Sequence, residues 1–243
     1  MKPAQIRPRP DLVAELIRGF DIPLPALPEL PLRYILKTIT TVWAGLAADR
    51  PAILIHGGEA LITAHLEARL CHLEDARWQQ LVHSVVRGKE TTSYDGSHLE
   101  KRPDLAIHLT GGRSPLFPFV VECKVIDLAK RKGADLYLKK GLARFLAGEY
   151  AWATREALLL AYVRDGSSIA DALTPILEPD SPTAPPPYAI QSPPIPFGPS
   201  PPDLARSVHG RSFRYPACAH PGNDPGAITI WHLWMPVPVG SSP

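Results

Sequence analysis

Three charged residues stand inside stretches that otherwise read as buried strands. In "RPDLAI" (102–107) Asp104 opens an apolar run, and in "FVVECKV" (119–125) Glu122 sits in the middle of another with Lys124 two positions on. Side chains alternate faces along a strand, so Phe119, Val121, Cys123 and Val125 share an apolar face while Val120, Glu122 and Lys124 share the other. The turn-rich "TGGRSP" between the two runs allows them to pair as a hairpin, which brings Asp104 beside Glu122. Two convergent carboxylates in a partly dry place cost several kcal/mol unless a cation neutralises them. Oxygen donors of this kind suit Mg²⁺ or Mn²⁺. A lysine beside them is placed to orient a water or to stabilise developing negative charge at a phosphoryl group. The plainer reading of Glu-x-Lys is an i,i+2 ion pair on a solvated strand face; against it stand the apolar strand around the triplet and the "RPD" that opens the strand before it.

"RPDLAI" followed by "VVECKV" resembles the PD-(D/E)xK, or restriction-endonuclease-like, nuclease superfamily. The resemblance implies an α/β fold with a mixed central sheet flanked by helices. It implies Asp104 and Glu122 as metal ligands, the Cys123 backbone carbonyl as a further ligand, Lys124 as the catalytic lysine and Mg²⁺ (or Mn²⁺) as cofactor. A further glutamate on the preceding helix is expected. "GGEALITAHLEARL" offers Glu59 and Glu67, and Glu59 is preferred because "E-x-x-I-T-x-x-L" near the helix start is similar to the arrangement in these nucleases. Without the resemblance, Glu59 reads as a first-turn acid favoured by the helix dipole. The implied activity is endonucleolytic hydrolysis of phosphodiester bonds, DNA first, in restriction or phage defence. A protein partner from such a system and a homodimer are the assemblies it allows. The alternative is a catalytically inactive nuclease-like subunit that binds nucleic acid or serves assembly.

The stretch "YLKKGLARFLAGEYAWATREALLLAYV" is similar to segments of restriction-like proteins in which a helix with a "G-x-x-R-F-x-x-G-x-Y" pattern precedes a strand. From residue 124 to 144 seven basic residues face two acidic ones. Lys130, Arg131, Lys132, Lys139, Lys140 and Arg144 are therefore expected to grip a phosphate backbone, a solvated helix face being the alternative. In the tail, His209 and Arg211 of "SVHGR", with His232 on the last strand, are candidate phosphate contacts, although a strand exposed to solvent is the favoured account of the same residues. Cys218 and His220 look like half a zinc site whose second pair of ligands is missing. Trp231 and Trp234 read either as partner anchors or as core.

These residues need a scaffold. Residues 32–48 read as a helix, although the β-branched run 39–42 weakens it. The three-to-four spacing of Leu61, Ile62, His65, Leu66, Leu70 and Leu73 predicts an amphipathic helix. Strands are expected around 81–87, 104–109 and 117–126, a helix over 134–153, a strand in "REALLLAYV", and a short helix capped by Ser167 or Ser168. The tail supplies strands near 205–213 and within 227–239. Twelve prolines between Pro175 and Pro202 exclude helix and central strand there and predict an extended connector. The organisation expected is a helical, Pro-rich segment (1–56), a nuclease core (57–174), the connector (175–202) and C-terminal strands packing on the core (203–243).

A chain of 243 residues, 45% hydrophobic, buries one sizeable core. Its net charge of +2 does not by itself nominate nucleic acid, so that argument rests on local clustering. Three widely spaced cysteines fit a reducing, cytoplasmic setting. The N-terminus lacks the apolar core of a secretory signal, and no apolar run approaches the roughly 20 residues that cross a bilayer, so no membrane is expected.

Overall fold

In the computed structural model, which describes residues 7–111, 113–178, 188–198, 203–217 and 224–238, the apolar runs converge on one seven-stranded sheet. Five helices come first: α1 (Pro10–Leu16), α2 (Glu29–Asp49), α3 (Pro51–His56), α4 (Glu59–Cys71) and α5 (Ala76–Leu81). Strands β1 (Val82–Arg87), β2 (Leu105–Leu109) and β3 (Phe119–Ile126) follow as an antiparallel meander. Next come a 3-10 turn (Leu128–Lys130), α6 (Ala134–Tyr137), a π turn (Leu138–Leu142), α7 (Ala143–Leu146) and β4 (Glu156–Val163). A second π turn (Ile169–Leu173), α8 (Thr174–Leu177), β5 (Ile190–Pro196), β6 (Asp203–His209) and β7 (Ile228–Pro236) complete the described elements. The sheet order is β1-β2-β3-β4-β7-β6-β5. Only β3–β4 and β4–β7 are parallel, so the sheet is mixed.

Alternation along the central strands builds two cores. Phe119, Val121, Cys123 and Val125, with Leu158, Leu160, Tyr162, Leu233 and Met235, pack against α2 and α4. Val120, Ile126, Leu159, Ala161, Ile230 and Trp234 face α6 to α8. All eight β4 residues are buried, as expected of a strand flanked by parallel partners. Helix α2 tolerates its β-branched run because Ile35, Ile39, Val42, Trp43 and Leu46 are buried along one side; burying each contributes about 2 kcal/mol, far more than the propensity deficit. Trp43 stacks on Tyr162 with ring centroids 5.1 Å apart.

Strands from three of the four expected segments share this one sheet, and the first segment supplies α2, which packs on it. β7 lies between β4 and β6, so the tail lies inside the sheet rather than against it. The Pro-rich stretch is part extended, as expected, but its described part includes β5, which pairs with β6 at the sheet edge. An edge strand needs donors on one side only, which is why prolines fit there. Pro175 lies in the first turn of α8, directly after the second π turn. The helix expected over 134–153 ends at Leu146, because Gly148 adopts φ +70°. A Cβ there would lie 2.7 Å from Phe213. Among the described residues no helix is long and apolar enough to cross a membrane.

Candidate active site

The register of β2 and β3 assembles the acidic pair. Leu105 opposes Val121 and Ala106 opposes Val120, so one step beyond the end of β2 Asp104 faces the position of Glu122. Here β3 runs past its neighbour, and the N–H groups of Cys123 and Val125 find no β2 carbonyl. Two carboxylates satisfy them instead: Asp104 Oδ2 accepts from Cys123 N at 2.7 Å, and Glu59 Oε2 accepts from Val125 N at 3.1 Å. Buried backbone donors demand such partners, so the gap in the sheet holds both acids in place.

Lys124 fills the space between them. Its Nζ donates to Glu122 Oε1 at 2.8 Å, to Glu59 Oε1 at 3.3 Å and to the Cys123 carbonyl at 2.6 Å, and lies 3.6 Å from Asp104 Oδ2. Three carboxylates and a main-chain carbonyl thus surround one cationic centre. Glu122 is only 1% exposed, and two further side chains hold it: Tyr150 donates to Oε2 and Arg144 Nη1 to Oε1 at 3.2 Å. Burial, then the neighbouring Asp104 charge, pushes the Glu122 carboxyl up to about 7 against the pull of Lys124 and Tyr150. Burial disfavours the Lys124 ammonium, yet Glu122, Asp104 and Glu59 outweigh it and hold its pKa above the ordinary lysine value. Burial and the Glu122 charge keep the Tyr150 phenol protonated well above its usual range.

Several elements position this cluster. Glu59 stands in the first turn of α4, where Thr63 reaches across to the Tyr162 hydroxyl at 3.0 Å. Arg164, just past β4, donates to the carbonyls of Leu54 and Gly57, which ties the α3–α4 corner to the sheet. Gly141 lets the π turn approach β4 closely, since a Cβ there would be 2.6 Å from Leu159 Cδ1; Arg144 follows one turn later. The "G-x-x-R-F-x-x-G-x-Y" pattern thereby acquires a physical meaning: Gly141 sets the approach, Gly148 turns the chain, and Arg144 and Tyr150 both bond Glu122. The sequence reading assigned Arg144 to phosphate and gave Tyr150 no role. The pattern was the available signal; contacts spanning 22 and 28 residues are not legible in spacing.

The cluster opens into a polar cavity of about 250 Å³ lined by Glu59, Lys124, Lys132, Tyr137, Lys140 and Arg144, among others. Three of the six predicted basic residues therefore border it. Lys130, Arg131 and Lys139 do not line it: Lys130 pairs with Asp127 at 3.3 Å, Arg131 occupies an exposed left-handed turn and Lys139 is exposed. Glu67 is remote from the cluster's ligand set and instead bonds Arg87, so Glu59 is the helix carboxylate at the site.

The tail contacts are corrected. His209 is fully buried, with Nδ1 2.8 Å from the Tyr188 carbonyl and Nε2 2.7 Å from Ser207 Oγ, and burial pushes its pKa down to about 4. His232 is likewise buried between Ser207 and Tyr137. Arg211 donates to the carbonyls of Trp152 and Thr154, bracing the loop before β4. Buried in the sheet, His209 cannot meet a phosphate, and the Arg211 guanidinium, just past β6, is taken up by main-chain carbonyls. Trp231 and Trp234 are core residues, at 5% and 1% exposure. Cys218 and His220 lie outside the described residues.

Among the described residues no set of three His, Cys, Asp or Glu side chains is already spaced around a metal-sized point; the acids close on the ammonium instead. The donor chemistry nonetheless fits a hard divalent cation, because carboxylate and carbonyl oxygens are its preferred ligands. No protein-family model, curated protein or solved structure matches this chain.

Proposed function

We propose that the protein is a metal-dependent nuclease of the restriction-endonuclease-like type, hydrolysing phosphodiester bonds in DNA. The observation that carries this reading is the convergence of Asp104, Glu122, Glu59 and the Cys123 carbonyl on one cationic point that opens into a basic cavity. Asp104, Glu122, Glu59 and the Cys123 carbonyl are the groups that would hold Mg²⁺ or Mn²⁺, which when bound polarises a phosphoryl oxygen and acidifies a water. Lys132, Lys140 and Arg144 attract and orient the phosphate backbone. Lys124, its pKa held above the ordinary lysine value, is placed to stabilise the negative charge that develops at phosphorus. Arg144 and Tyr150 fix the rotamer of Glu122, so that the acid cluster is held before substrate arrives.

A second reading has its own support: Lys124 already supplies the cation that the acids require, which suits a non-catalytic nucleic-acid-binding subunit. Cleavage of labelled DNA by purified Asp104→Asn, Glu122→Gln and Lys124→Ala variants decides between them. The nuclease reading expects Mg²⁺-dependent cleavage by the wild type and a loss of at least about a hundredfold in each variant, with melting temperatures showing that each is folded. Equal rates in all four proteins would exclude it.

A further inference from the structure

A second cavity shares its floor with the acid cluster. Ala106 and Val120 are register partners on β2 and β3, two residues from Asp104 and Glu122 on the same sheet face, a distance of about 7 Å along the strands. Val120 also packs into the core beneath α6 to α8, while the pair as a whole faces a second space. This space is an apolar cavity of about 130 Å³ whose walls include Leu116, Phe117, Trp152 and Thr91. The Phe117 and Trp152 rings meet edge to face with centroids 5.6 Å apart, and the indole N–H donates to the Thr92 carbonyl at 2.6 Å, so the aromatic wall is fixed. Leu116, 52% exposed, stands at the mouth. Trp152 follows Tyr150, the residue that bonds Glu122, so one short loop serves both sites.

Resting on the nuclease reading for the identity of the ligand, we infer that this cavity receives one nucleobase of the strand being cut. The size is right for a single flat ring: an apolar cavity of roughly 150 Å³ takes up benzene, so a pyrimidine enters more readily than a purine. The placement is right as well, since a nucleotide carries its base and its phosphate side by side, and here an apolar slot and a cation-binding cluster adjoin on one face. A base stacked in a duplex cannot reach such a slot. The nucleotide read here is therefore unpaired, or is extruded from the helix.

The test measures binding without metal, by fluorescence anisotropy of labelled hexadeoxythymidylate in chelator, against the same oligomer with abasic residues and against hexadeoxyadenylate. The wild type is expected to bind the thymidylate about tenfold more tightly than the abasic strand, the low end for one stacked base, and more tightly than the adenylate. Ala106→Leu, which fills the slot from its floor, should abolish the preference while leaving the abasic affinity unchanged; Leu116→Ala, at the exposed mouth where folding is not at stake, should weaken it severalfold. Equal affinity for thymidylate and abasic strands in the wild type, or a preference unmoved by both substitutions, would overturn the inference. The two readings fail separately: a base preference without Mg²⁺-dependent cleavage retains the pocket and sinks the nuclease, whereas cleavage without a base preference sinks the pocket alone.

Discussion

Glu122 concentrates the chemistry of the site in one buried carboxyl that touches Lys124, Arg144 and Tyr150. Its folded pKa of about 7 lies above the ordinary carboxylate value, so the native state binds a proton there that the unfolded chain does not hold between pH 7 and about 4.5. Linkage then makes the contribution of this group to stability grow as pH falls through that window and shrink as pH rises through 7. Relative to Glu122→Gln, the wild type should gain up to about 3 kcal/mol between pH 7 and pH 4.5. Urea midpoints of the two proteins across that range check this, and parallel curves would contradict it. At this scale the sequence was informative where neighbours in space are neighbours along a strand: alternation put Glu122 and Lys124 on one face, and the hairpin brought Asp104 to them. It misassigned His209 because a polar residue on a strand looks the same whether the strand is an edge or, as for β6, internal; Arg211, just past β6, bonds main-chain carbonyls instead.

At the level of elements, the site depends on how closely the π turn between α6 and α7 rides on β4. Gly141 permits that approach, and Leu159 beneath it is fully buried and has little room to yield. Gly141→Ala should therefore lower stability by about 1–2 kcal/mol, overpacking outweighing the gain in helix propensity. It should also reduce cleavage severalfold as Lys140 and Arg144 move away from the cavity. Adding Leu159→Val in the same protein should recover part of both losses; thermal melts and cleavage rates of the single and double variants measure this. Helices α2 and α4 and strands β2 to β4 were legible from apolar periodicity. The π turn was not, because one extra residue in a helical turn leaves no mark on the pattern of apolar residues. Nor was β5, since prolines mark a stretch as extended without saying whether its free side pairs.

Across the whole molecule, the sheet carries the site at the place where β2 stops and β3 continues, and the C-terminal strands complete the sheet beyond β4. That closure was illegible in the sequence: β4 and β7 pair in parallel across more than sixty residues, and no local signal selects such a partner. The acid cluster that results has more negative than positive charge, with Lys124 as its internal cation, and the central claim is that a divalent ion competes for this place. Calorimetric titration of Mn²⁺ into the wild type, Asp104→Asn and Lys124→Met addresses it directly. One site is expected in the wild type, weakened at least about tenfold when Asp104 loses its charge and tightened when the ammonium is removed. No binding in any of the three proteins, or the same affinity in all of them, would contradict it.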